Sequence, residues 1–251
     1  MSKILSVGIV QTDLKWKDKI HNLNTIEQII ASSESVPNIV LLPEMFNTGF
    51  CVDDLSLAED SKGQTIAWMQ NIANQYQTAI SGSILFNDNG NYYNRLFFIS
   101  PTQNINYNKR HLFSLVDEDK LLTKGTEKVV ISYNDWKIEP FICYDLRFPE
   151  WCSNKNNVAL QFFVANWPHK RIAHWNHLLQ ARAIENQCFV VGINRVGNDY
   201  FGNEHHGYSC VYDFKGNELM LFKDLVGMKI VDLHLDDWIA FRAKYPFYKD
   251  R

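Results

Sequence analysis

A layered α/β fold with a largely buried sheet is the class this sequence predicts, and three observations carry it. Short apolar runs rich in β-branched and aromatic residues recur along the chain. Longer stretches with helical spacing separate several of them, so strand and helix alternate. The 251 residues, 46% hydrophobic and 21% charged, can bury a sizeable core, and no repeat, low-complexity tract or Pro/Ser-rich linker divides them. One domain over residues 1–251 is the simplest expectation.

Taken in order, ILSVGIVQ (4–11) reads as the first strand and NLNTIEQIIASSES (22–35) as a helix. NIVLLPE (38–44) is a second strand, ending at Pro43 and Glu44. The helix GQTIAWMQNIANQY (63–76) precedes two strands, TAISGSILF (78–86) and YNRLFFIS (93–100). From Pro101 to Lys128 no strand or helix is evident, and long ordered loops of that kind often serve function. KIEPFICYD (137–145) and NVALQFFVAN (157–166) are further strands. In the helix HWNHLLQARAIENQ (174–187), about 100° per residue puts Trp175, Leu178, Leu179, Arg182 and Asn186 on one face, with Glu185 three residues from Arg182. Polar groups among apolar ones need partners, so a structural network or a subunit contact is expected there. FVVGINRVG follows, then YSCVYDFKGNELMLF, a hairpin turning near Lys215, Gly216 and Asn217, and an amphipathic C-terminal LDDWIAFRAKYPFYKDR.

Composition narrows the partners. Net charge is −3 and the 25 Lys and Arg residues are scattered, which argues against a nucleic-acid or anionic-membrane surface and favours a small molecule. Five cysteines, Cys51, Cys143, Cys152, Cys188 and Cys210, form no C-x-x-C pair, so neither a disulfide framework nor a zinc ribbon is favoured. The apolar run near the N-terminus is too short for a signal peptide core or a spanning helix, and a cytoplasmic protein is expected.

Three residues stand at or after strand ends: Glu44, Lys109 and Cys143. Ligands gather at the carboxyl ends of strands in open α/β sheets, so these side chains can meet. Singly, each has an ordinary reading, a buried thiol or a solvated charge. Together they suit acyl transfer from an amide carbon. A thiol needs a base for its proton, and a desolvated Glu44 can take it, protonate the departing ammonia and later activate water. Lys109 and the backbone N–H of Tyr144 can then face the negative oxygen of the tetrahedral intermediate.

The motifs LLPEMF, YNKRHLF and CYDLRFPEW, with VANWP (164–168) and LLQARAIENQ (178–187), resemble the nitrilase, or carbon–nitrogen hydrolase, superfamily across nearly the whole chain. That resemblance implies a four-layer αββα sandwich, a Glu-Lys-Cys triad of Glu44, Lys109 and Cys143 drawn from two sheets, no cofactor, and at least a homodimer. A second glutamate that orients the lysine matches Glu118 in SLVDEDKLL, between Asp117 and Asp119. KRHLF, CYDLRFPEW and VANWP look most like the ω-amidase branch, which hydrolyses the terminal amide of 2-oxoglutaramate or 2-oxosuccinamate. Such a substrate needs a cation for its far carboxylate, and Arg147 or Arg171 can supply it. Arg147 can equally shape its own turn with Asp145, Glu150 or a carbonyl. Phe46, Phe113, Tyr144 and Trp167 are candidate pocket walls, Trp167 foremost.

Rival chemistries are weaker. His169, His174, His177, His205 and His206 include an i, i+3 pair, yet no H-E-x-x-H or comparable ligand set occurs, so no metal is expected. A Cys-His hydrolase using His111 or His169 stays open by spacing alone, whereas the resemblance gives the base role to Glu44. Within the enzyme reading the runner-up is another amidase or an N-carbamoyl amino acid hydrolase. A non-catalytic scaffold of the same fold would be expected to lack one of the three residues.

Overall fold

A computed structural model describes residues 3–250. In chain order its elements begin with β1 (Ile4–Gln11), α1 (Lys19–Ala31), β2 (Ile39–Leu41), α2 (Gln64–Tyr76), β3 (Ala79–Asp88), β4 (Asn91–Ile99) and β5 (Asn104–Asn108). Next come α3 (Glu118–Leu121), β6 (Ile131–Tyr133), β7 (Trp136–Ile142), α4 (Pro149–Cys152), β8 (Leu160–Val164) and α5 (Ile172–Asn186). The chain finishes with β9 (Phe189–Ile193), β10 (Val196–Asn198), β11 (Glu204–Tyr212), β12 (Glu218–Lys223), β13 (Gly227–His234) and α6 (Leu235–Lys244).

Two sheets result. The first runs β13-β1-β2-β3-β4-β5, parallel where β1, β2 and β3 adjoin and antiparallel elsewhere. In the second, β7, β8 and β9 are parallel, with β6 added on one side, β11 on the other, and β10 and β12 paired to β11. Strand periodicity sorts the buried residues into two cores. Leu5, Val7 and Ile9 of β1 and Leu96 and Phe98 of β4 meet Ile138, Phe141 and Phe163 of the second sheet, a sheet-on-sheet core. Val10, Val40 and Ile80, one residue out of phase, face Leu23, Ile26 and Ile30 of α1 and Met69 and Ile72 of α2. On the far side, Trp175, Leu179 and Ala183 of α5 and Trp238 of α6 cover the second sheet. Helix, sheet, sheet, helix is the four-layer sandwich expected.

Some local expectations need correction. Residues 101–128 are not a plain loop: NINYN forms β5, an edge strand whose alternate residues are polar and exposed, and EDKL forms the single turn α3. Helix α1 starts three residues earlier than the apolar spacing indicates, at Lys19, because the Asp18 carboxylate accepts the His21 N–H at 3.0 Å. Helix α5 buries the face expected of it, with Leu178 at its margin. There Arg182 donates to the Leu146 carbonyl at 2.8 Å and pairs with Glu185 at 2.7 Å, while Asn186 donates to the Cys152 carbonyl at 2.8 Å and the Gln161 amide at 3.0 Å. These polar groups are a structural network that ties α5 to the turn after β7.

Candidate active site

Strand ends from both sheets deliver the site. Glu44 lies three residues beyond β2, on a connection sewn to β3 by Leu42 N–H to the Ser81 carbonyl at 2.7 Å and Met45 N–H to Ser83 Oγ at 3.0 Å. Lys109 directly follows β5, its N–H on the Asn94 carbonyl at 3.0 Å and its carbonyl accepting Gly125 N–H at 2.8 Å. Cys143 directly follows β7 and opens a 3-10 turn, Cys143–Arg147, with φ of 44°. A left-handed non-glycine residue costs about 1–2 kcal/mol, so surrounding bonds must hold it there.

Glu44, Lys109 and Glu118 form a buried cluster beside Cys143, which is itself half-buried. Glu44 and Glu118 are fully buried and Lys109 is 1% exposed. The Lys109 ammonium lies 2.8 Å from Glu44 Oε1 and 2.9 Å from Glu118 Oε2. Asn94 Nδ2 bridges the same carboxylates, 2.8 Å from Glu44 and 3.2 Å from Glu118. Glu44 Oε2 accepts the Asn166 N–H at 2.9 Å, and Glu118 Oε2 accepts the Phe113 N–H at 2.6 Å. The Cys143 thiol faces the same cavity as Glu44 and Lys109 and feels the charge of both.

Electrostatics follow from one cation shared by two buried carboxylates. Burial opposes the charge of Lys109, yet Glu118 and Glu44 together outweigh it and hold the ammonium above its ordinary range. Burial pushes the Glu118 carboxyl up, against the pull of Lys109. Burial and then the charge of Glu44 push the Cys143 thiol well above its usual value, beyond what Lys109 recovers. The resting thiol is therefore neutral and depends on an adjacent acceptor for its proton.

Around this centre opens a cavity of about 260 Å³. Phe113 and Tyr144, with rings 5.0 Å apart, and Trp167 line it, but Phe46 does not. Phe46 is buried against Trp68 in the core between α2 and the first sheet, on the turn beyond β2 in which Met45 takes a φ of 44°. Tyr144 sits at the start of the 3-10 turn, whose first N–H groups have no partner within the turn. Both arginines reach the cavity. Arg147 stacks over Trp167, 4.8 Å from its centroid, and contacts His174 Nδ1 at 3.1 Å, rather than pairing with Asp145 or Glu150. Arg171 lies over Phe113 at 5.6 Å, and its guanidinium meets no hydrogen-bond acceptor among the described residues. Burial lowers its pKa, the Cys143 sulfur raises it and Arg147 lowers it, which places it near both.

Sequence reading missed Asn94 and Asn166, the amides that hold Glu44. A signal existed for Asn94, a lone amide inside the aromatic run YNRLFF, because a buried polar group in a strand needs a partner. It also missed three residues that line the cavity, Asp199 and Phe201 from the connection between β10 and β11 and His205 from the start of β11. Among the described residues no group of three or more His, Cys, Asp or Glu side chains could hold a metal ion. His111 is bound to Asp145 at 2.9 Å, and His169 packs on His206 with centroids 4.1 Å apart.

Residues 6–243 match the carbon–nitrogen hydrolase family, and the chain belongs to it. It is 35% identical over 250 residues to the omega-amidase YafV of Yersinia enterocolitica, covering 98% of this chain and 96% of that one. The 2-oxoglutaramate amidase of Bacillus subtilis is 30% identical over 251 residues, again with 98% and 96% covered. A CN-hydrolase superfamily protein from Xanthomonas campestris, solved with an arsenic adduct in its active site, superposes with a TM-score of 0.96 at 33% identity, over 99% of this chain and 97% of that one.

Proposed function

We propose that the chain is an ω-amidase that hydrolyses the terminal amide of 2-oxoglutaramate or 2-oxosuccinamate through a thioester on Cys143. The observation that carries the reading is a buried ammonium held at 2.8 and 2.9 Å from two carboxylates beside a neutral thiol. Glu44 accepts the thiol proton as sulfur attacks the amide carbon. The resulting oxyanion is met by the Lys109 ammonium and the Tyr144 N–H, donors that in comparable sites are worth about 3 kcal/mol each. Collapse breaks the C–N bond, and Glu44 returns its proton to the leaving ammonia. Water then attacks the thioester, gives a proton to Glu44, and releases the 2-oxo dicarboxylate and the thiol. Glu118 orients Lys109 and adds no proton transfer. Phe113 and Trp167 wall the acyl chain from water.

The substrate class rests on the amidase relatives and on charge. Arg171 brings an unengaged guanidinium to the cavity, suited to a bidentate grip on a carboxylate, while Arg147 is held by Trp167 and His174. Ammonia release tests the reading with 2-oxoglutaramate, glutamine, an N-carbamoyl amino acid and an aliphatic nitrile. The expected result is that kcat/KM for 2-oxoglutaramate exceeds that for the nitrile at least ~100-fold; equal values sink the substrate assignment. Cys143→Ala and Glu44→Gln should each abolish turnover, and a Glu44→Gln enzyme at full rate would instead point to a histidine base.

Pairing of two chains belongs to the same reading. Ile184, Leu219, Ile239 and Phe247 expose apolar surface around α5, β12 and α6, which association would cover. Sedimentation should give twice the chain mass of 29.3 kDa. Five unpaired thiols favour a reducing compartment such as the cytoplasm.

A further inference from the structure

Asp145 is fully buried two residues after Cys143, and its carboxylate collects four hydrogen bonds. Oδ2 accepts the Ile142 N–H at 3.1 Å and the Tyr107 hydroxyl at 2.7 Å. Oδ1 accepts the His111 N–H at 2.9 Å and lies 2.9 Å from His111 Nδ1. Ile142 is the residue before the nucleophile, at the end of β7 in the second sheet. Tyr107 and His111 stand two residues either side of Lys109, which follows β5 in the first sheet. One carboxylate thus grips the backbone one residue before Cys143 and, on both flanks, the chain that carries Lys109.

The donors are themselves fixed. Tyr107 accepts the Trp151 indole N–H at 3.0 Å, and burial with the neighbouring Asp145 charge keeps its hydroxyl protonated as a donor. The His111 ring stacks on Phe148 of the Cys143 turn at 3.7 Å. We propose that Asp145 is a positioning residue for the reaction at Cys143, a clamp that sets the left-handed thiol and the lysine in register across the two sheets.

An isosteric amide cannot do this work. In Asp145→Asn one half of the group becomes NH2, and on either side it meets a backbone N–H, that of Ile142 or that of His111. A buried donor is then left facing a donor whichever way the amide turns. Misplacement of about 1 Å at a reacting centre costs on the order of 100-fold in rate.

The proposal rests on the amidase reading, so the test carries a second readout that needs no substrate. The other four cysteines are fully buried, and iodoacetamide on the native protein therefore reports Cys143. In folded Asp145→Asn, kcat for ammonia release should fall by about 100-fold with KM within about threefold, and the alkylation rate should change by about tenfold or more. Tyr107→Phe, which loses one O–H donor, should shift both in the same direction by less, and the double variant should be no worse than Asp145→Asn alone. Parental kcat and alkylation in folded Asp145→Asn, or full additivity in the double variant, overturns the proposal. Should Asp145→Asn fail to fold, Tyr107→Phe decides: unchanged alkylation overturns the clamp and a changed rate sustains it. If no amide is cleaved by the parent, alkylation still gives the answer, and the two readings fail separately.

Discussion

Lys109 is held by two glutamates, and the site's behaviour on substitution follows from that redundancy. Glu118→Gln keeps a hydrogen-bond acceptor for the lysine and removes one negative charge, while Glu44 still neutralises the ammonium at 2.8 Å. The expected result is a folded enzyme whose kcat is lower by about 100-fold, read from ammonia release, because the cation is less firmly aimed at the oxyanion. Arg171→Met acts on binding instead: KM for a carboxylate-bearing amide should rise at least ~10-fold with kcat nearly unchanged, and an equal loss on a neutral amide would refute the role. Glu44, Lys109 and Cys143 were legible because their residue types and motifs belong together. Asn94, Asn166 and Asp145 were not, since a polar residue met singly in a strand or turn shows a need for partners and nothing about which partners.

At the scale of elements, apolar runs revealed the strands whose two faces are both buried, such as β3 and β8, whereas β5 escaped because its burial alternates with exposed polar residues. β13 went unremarked for a related reason: GMKIVDLH buries only one residue fully in this structure and lacks the continuous apolar signature. Close packing sets a different kind of limit. A Cβ on Gly192 of β9 would lie 2.4 Å from Leu179 Cδ1 and 2.7 Å from Trp175 Cζ2, so α5 sits directly on the glycine. Gly192→Ala should destabilise by about 1–3 kcal/mol, measured by denaturant unfolding, through the overpacking it forces. Because α5 also anchors the turn after β7 through Arg182, activity should decline along with stability.

For the whole molecule, His205 couples stability to pH. Burial foremost, with help from Arg195, lowers its pKa from the usual 6.5 to about 4, against the pull of Asp199. Between those values the unfolded chain binds a proton that the folded protein refuses, so stability is intact above about 6.5 and is lost as pH falls toward about 4. The loss from this residue is of order 3 kcal/mol. His205→Gln should flatten the fall in Tm between pH 6.5 and 4 relative to the parent, and an unchanged slope would show that other groups dominate.

The pairing of β1 with β13 joins residues 4–11 to residues 227–234 in one continuous antiparallel register. During synthesis, therefore, β1 leaves the ribosome more than 200 residues before β13, its antiparallel partner. Until then β1 presents a bare edge, and the first sheet, which supplies Glu44 and Lys109, is one strand short. Chaperones that shield open strand edges should engage this chain until translation has passed His234, and a nascent chain stalled before Gly227 should remain their client.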